Sequence, residues 1–215
     1  MDTIIKFVVN VVSLGGTYAL LALGLAVVFS VLRLINFAHG EMMALSGYVL
    51  LAGIVLGVPF WVAAVSAIVA GGLAAIIMEA TAFRPVRSAS PATLLMTSFA
   101  VAMLLQVIFQ NGVSPRGQAV PVPSFFNSSV SIGPAQISMI QLISIIVSLA
   151  SLVLLRFFFF NTRMGWAIRA SATEFEIVRL MGIKASRLIA LAFLISGLLA
   201  GIAGVLWVMQ RGSVD

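Results

Sequence analysis

The chain has 215 residues, of which 62% are hydrophobic and only 8% charged, with mean hydropathy +1.20; a soluble globular domain is excluded and a polytopic membrane protein is indicated. A net charge of +6 and a pI near 11.2 suit nucleic acid in other settings. Here the cations flank apolar runs instead of forming a stripe interleaved with aromatics, so no nucleic-acid partner is expected. The absence of cysteine excludes disulfides, thiolate metal ligands and cysteine nucleophiles.

Residues 1–12 carry one Lys, one Asp and no small-residue cleavage site, so no removable leader is expected. Residues 4–32 are apolar for longer than one span requires, and Gly15-Gly16 is expected to divide them into an interfacial segment and a first span over residues 14–32. A second span follows over residues 42–56, then a Gly57-Val58-Pro59 turn and a third span over residues 60–83, closed by Arg84-Pro85-Val86-Arg87-Ser88. The fourth span covers residues 92–109, the fifth residues 137–155 with Arg156 at its end, and the sixth residues 188–208. The predicted fold is therefore an all-α integral membrane protein, a single transmembrane domain over residues 1–215 with about six helices. Loop 110–135, with Pro115, Pro121, Pro123 and Pro134, reads as an ordered lid, a contact for an external protein, or a linker.

Basic loops between spans stay cytoplasmic. With residues 161–187 inside, alternation places Arg33, Arg84, Arg87, Arg156, Arg163, Arg169, Arg179, Lys184 and Arg187 inside, leaving Lys6, Arg116 and Arg211 outside. The N-terminus and loop 110–135 then lie outside.

Three polar features interrupt the apolar pattern. Between the first two spans, Arg33, Asn36, the only His (His39) and Glu41 crowd into nine residues. Such groups are costly near lipid. Either they form a tight cytoplasmic turn, with Glu41 capping the second span, or they break a helix and line a translocation path. Glu79, deep in the third span, is a buried-charge candidate that reaches the inner boundary near Arg84. The third feature is loop 161–187, where Thr173 can N-cap a short helix over residues 174–181, Glu176 is its capping-box partner and Gly182 supplies a left-handed stop. Phe175, Ile177, Val178, Leu180 and Met181 give that helix, which opens at Glu174, an apolar face suited to docking in a partner or to lying on membrane lipid.

In the sixth span Ala192, Ser196, Ala200 and Gly204 recur every four residues beside Gly197 and Gly201, a small-residue stripe for close helix packing within the subunit or against a second one. No P-loop string, Ser/His/Asp set or multi-ligand metal site is present, so neither an enzyme nor a metal protein is expected and no cofactor is called for.

The string Leu32-Arg33-Leu34-Ile35-Asn36-Phe37-Ala38-His39-Gly40-Glu41, preceded by Gly-Thr-Tyr-Ala-Leu-Leu-Ala-Leu-Gly-Leu at residues 16–25, resembles the signature of the branched-chain amino acid ABC transporter permease family, in the shorter of its two permease types. Glu176-Ile177-Val178, three residues, then Gly182 is similar to the Glu-Ala-Ala-x-x-x-Gly loop of bacterial ABC importer permeases, with both alanines replaced. Ser196-Gly197-Leu198-Leu199-Ala200-Gly201 extends the likeness along the chain. The resemblance implies a multi-pass permease of the bacterial inner membrane that works with a second permease, homologous or identical, two ATP-binding cassette subunits and an external substrate-binding protein. It also implies that the helix at residues 174–181 couples to the ATPase, and that branched-chain or other hydrophobic amino acids are carried, although relatives of this type carry urea and short amides. Family members continue through further helices after the position of Arg211, so the C-terminal helices are expected to be missing. A self-contained channel or secondary transporter for a small polar solute such as urea or an amide, with residues 36–41 as its filter, is the alternative.

Overall fold

The computed structural model describes residues 2–113, 117–132, 135–173 and 183–214. Helix α1 (Asp2–Leu32) is continuous, 31 residues or about 46 Å at 1.5 Å per residue, and the expected break at Gly15-Gly16 does not occur. Glycine weakens a helix by about 1 kcal/mol relative to alanine, but in lipid a broken helix strands backbone groups that no water can satisfy. Gly16 instead marks a close approach, since a Cβ there would lie 2.8 Å from Ser148 Oγ on the helix over residues 139–161.

A turn leads to α2 (His39–Val55), which has 17 residues, about 26 Å, and is shorter than the other apolar helices. Gly57, with φ of 75°, and Pro59 then reverse the chain into α3 (Phe60–Met78). This helix runs on through a π-helical turn, Glu79–Phe83, and a last α turn, Arg84–Val86, so the span is longer than expected. The widened turn sits just before Pro85, which has no N–H for the ladder and crowds the carbonyl four residues back. Ser90 caps α4 (Pro91–Gly112) by accepting from Thr93 N at 3.3 Å, with Pro91 at the first helical position. Helix α5 (Met139–Asn161) begins after Ile137 and Ser138, which the sequence assigns to the span but which belong to a strand. The polar interval opens with a short amphipathic helix, α6 (Arg163–Thr173), and the chain returns through α7 (Ala185–Arg211). Five helices of the described residues are long and apolar enough to cross a membrane, and α2 makes a shorter sixth apolar rod.

The described residues of the loop between α4 and α5 form a cover. Strand β1 (Gln118–Ala119) pairs antiparallel with β4 (Ser213–Val214), and β2 (Ser129–Ile132) pairs with β3 (Ala135–Ser138). Phe126, 2% exposed, packs on Phe60 with ring centroids 4.9 Å apart and closes the cover over the ends of α3 and α7. The β1–β4 pairing joins loop 110–135 to the end of α7, and Gln141 Nε2 donates to Asn10 Oδ1 at 3.2 Å, so segments assigned outside meet one another. At the opposite end Arg33 reaches the Ala172 carbonyl. The contacts at both ends follow the alternation that the basic residues dictate.

Helix α7 is the axis of the bundle. Within its most apolar window 67% of residues are buried, against 17% for α4 and α5, because α1, α2 and α3 all pack on it. The core is layered along it. Val28, Met42, Phe83, Ile168 and Phe193 fill the inner end, Leu20, Leu199 and Leu206 the middle, and Leu50, Ala67, Phe126 and Val208 the outer end.

Candidate functional site

The polar stretch between α1 and α2 is a tight turn whose side chains hold three helices together. Arg33 ends α1 with φ of 56°, a left-handed conformation that costs a non-glycine residue about 1–2 kcal/mol. Its guanidinium donates to the carbonyl of Ala172 in the last turn of α6, where the helix dipole is negative. Asn36, 2% exposed, folds the turn by accepting from Ala38 N through Oδ1 at 3.1 Å, while its own carbonyl accepts from His39 N at 3.1 Å. Side-chain capping of α2 by Glu41 is not seen. Its N-cap residue is Ala38, with no side-chain bond, and Glu41 stands in the first turn, where an acid complements the dipole.

His39 is 4% exposed and bridges two helices. Its Nε2 lies 3.1 Å from the carbonyl of Leu21 on α1, which can only accept, so that nitrogen carries a proton. Nδ1 lies 3.1 Å from Ser196 Oγ on α7. A neutral ring protonated on Nε2 satisfies both contacts, with the serine hydroxyl donating to Nδ1. Gly24 makes room, since a Cβ there would come within 2.7 Å of the imidazole.

This bond joins two features that the sequence shows only separately, the polar turn and the small-residue stripe. The stripe packs within the subunit. Gly197 faces the backbone of Gly71 and Gly72 on α3, Gly201 lies against Ile68, Gly204 against the Met43 carbonyl of α2, and Ala200 is fully buried. Gly71-Gly72, a pair not singled out in the sequence, is the matching half of the α3–α7 crossing.

Glu79 is fully buried at the start of the π turn, where Arg84 donates to Oε2 at 2.9 Å and Arg87 to Oε1 at 3.2 Å. The expected reach toward Arg84 is therefore present, with Arg87 as a second partner.

The expected role of Thr173 as N-cap of a helix over residues 174–181 falls on a segment outside the described residues. Thr173 itself is the last residue of α6, a helix that is capped at its start by Thr162, whose Oγ1 accepts from Gly165 N at 3.0 Å and donates to the Phe158 carbonyl at 2.7 Å. Glu174, Phe175, Glu176, Val178, Met181 and Gly182 lie outside the described residues. The α6 helix itself was legible in Thr162 and in the buried spacing Gly165, Ile168, Ser171. A second constellation missed in the sequence is polar and lies between α1, α5 and α7. Gln210 Nε2 on α7 lies 2.8 Å from Ser144 Oγ on α5 and 3.2 Å from Thr17 Oγ1 on α1. Among the described residues, Gln210 Oε1 and Ser148 Oγ are buried without hydrogen-bond partners. The signal was the spacing of Ser13 and Thr17, and of Ser144, Ser148 and Ser151, along one face of each helix.

Residues 7–215 match the family model described as branched-chain amino acid transport system / permease component. The high-affinity branched-chain amino acid transport system permease protein LivH of Salmonella typhimurium (strain LT2) is 34% identical over 215 residues, covering 92% of this chain and 68% of that protein. LivH of Escherichia coli (strain K12) is 35% identical over 211 residues, with the same coverage. The corresponding protein BraD of Pseudomonas aeruginosa is 29% identical over 219 residues, 96% of this chain and 71% of its own length. No solved structure matches the chain. A multi-pass apolar bundle, with a family match that takes in the polar turn, the π-turned third helix and the glycine-lined axis, belongs to the branched-chain amino acid transport system permease family.

Proposed function

We propose that this chain is the transmembrane permease subunit of an ABC importer for branched-chain or other hydrophobic amino acids in a bacterial inner membrane. The observation that carries this reading is the likeness to LivH, a permease named for branched-chain amino acid transport, over 92% of the chain. In this reading it pairs with a second permease, homologous or identical, binds two ATP-binding cassette subunits inside and receives substrate from an external binding protein. Deleting the gene and measuring uptake of labelled leucine, isoleucine and valine at low concentration tests it, with urea and acetamide as comparison solutes. Amino acid uptake should fall and return with a plasmid copy. Loss of urea or amide uptake alone, unaffected by inactivating the partner ATPase, favours a self-contained channel instead.

The turn suits a coupling role. Arg33 holds the carbonyl of Ala172, two residues before Glu174, and His39 holds α1 and α7 on the other side of the same turn. Displacement of residues 174–182 by a moving ATPase reaches Ala172, then Arg33, and through the turn reaches the helices that His39 bridges. Contact with the ATPase falls to Phe175 and Met181, the bulkiest apolar residues of the segment, with Gly182 as the stop. Truncating a docked anchor commonly costs more than about 1 kcal/mol of binding, roughly fivefold. Phe175→Ala and Gly182→Val are therefore expected to weaken ATPase co-purification at least that much and to uncouple hydrolysis from uptake, with membrane insertion unchanged. Stoichiometric ATPase and normal uptake in the double variant would reject the coupling assignment.

A further inference from the structure

A groove of about 470 Å³ runs between α1 and α5 and is closed at its inner end by α6. Its walls are apolar, formed by Leu23 and Val27 of α1, Leu155 of α5 and Ile168 of α6 among others. At its cytoplasmic mouth stand two cations, Arg156 of α5 and Arg169 of α6. Both guanidiniums are exposed and both stack on the ring of Phe160, at 5.1 and 4.3 Å from its centroid. Among the described residues no carboxylate or carbonyl pairs with either guanidinium. Trp166, 57% exposed on α6, marks the level of the membrane interface beside them.

We propose that this groove is a binding site for an anionic phospholipid of the inner leaflet. One acyl chain lies along Leu23, Val27 and Leu155, and the phosphate accepts hydrogen bonds from Arg156 and Arg169. Charge complementarity selects the occupant. Two forked cations held over one aromatic ring at the membrane surface match a phosphate, and basic pockets between cytoplasmic helix ends bind such headgroups. An apolar helix of a partner would fill the groove and leave both arginines unpaired at its edge. A soluble phosphate would meet the arginines and leave the groove empty. The site does not depend on which solute is carried.

The test uses the full chain in mild detergent, stripped of native lipid and titrated with phosphatidylglycerol or phosphatidylcholine of identical acyl chains, with thermal stability and native mass spectrometry as readouts. Phosphatidylglycerol should be retained and should raise the melting temperature, and phosphatidylcholine should do neither. Arg156→Gln with Arg169→Gln should weaken phosphatidylglycerol binding by roughly tenfold or more. Ala26→Phe, which narrows the groove and leaves the arginines in place, should weaken it as well. Arg163→Gln, on the same helix but outside the groove, should bind normally and shows that lost binding is not lost folding. Equal retention of both lipids, an undiminished phosphatidylglycerol shift in the arginine variant, or an equal shift from inorganic phosphate at matched ionic strength would each overturn the proposal. A protein chain found cross-linked in the groove, with no anionic lipid retained, would do the same.

Discussion

Gly197→Val should all but abolish accumulation of folded protein, whereas Gly15→Ala should be neutral or slightly stabilising. At Gly197 a Cβ would meet the Gly71 carbonyl, the Ala75 side chain and the Gly72 backbone, and the first and last of these belong to a helix that cannot move aside without breaking its own ladder. Overpacking a well-packed site costs about 1–3 kcal/mol and more where the obstacle is backbone. In lipid the loss is not offset by a hydrophobic drive to reassociate, since helices there are held by packing and hydrogen bonds. The crossing is also the most heavily shared, because α7 carries α1 and α2 on its other faces. At Gly15 nothing lies within 4 Å of the added carbon, and alanine is the better helix former by about 1 kcal/mol. The amount of monodisperse protein after size exclusion, together with its melting temperature, separates the two outcomes. Wild-type yield and melting temperature for Gly197→Val would mean that α3 and α7 do not cross there.

Glu79→Ala should also give a large loss. The carboxylate is fully buried, and both of its oxygens accept from arginines whose side chains are 49% and 27% exposed. Breaking a fully buried pair by removing one partner costs about 3–5 kcal/mol. The exposure of these arginines lets water take over part of their solvation, so about 1–3 kcal/mol is expected here. The reverse deletion should be at least as harmful, because Arg84→Ala with Arg87→Ala leaves the charge on Glu79 buried and unpaired. Adding Glu79→Gln to that double variant should restore part of the loss, a sign of coupling that separate local defects would not produce. Melting temperatures of the variants measure it, and additive losses with no recovery in the triple variant would refute a coupled cluster. Since the π turn begins at Glu79 and ends beside Arg84, these variants should also loosen the inner end of α3, where Phe83 packs on Phe193 at 5.3 Å.

The membrane class and the approximate spans follow from the sequence because each depends on quantities that are local along the chain. Twenty apolar residues must cross as a helix wherever they occur, and Arg84, Arg87, Arg163 and Arg169 bias their loops inward without reference to any partner. Thr162, Ser90 and Pro91 likewise carry their capping chemistry with them. What the sequence leaves open is how distant segments meet. The turn at Asn36 reads equally as a helix break lining a path and as a compact connection, since the bond from His39 to Ser196 spans 157 positions and the one from Arg33 to Ala172 spans 139. Whether the stripe on α7 packed inside the subunit or against another was undecided until Gly71 and Gly72 appeared opposite it, for a small residue records only that something comes close. The break expected at Gly15-Gly16 failed for the same reason. Propensity describes an isolated helix in water, whereas in the bundle the unmet cost of stranded backbone groups in lipid, and the serine face of α5 against Gly16, keep α1 whole.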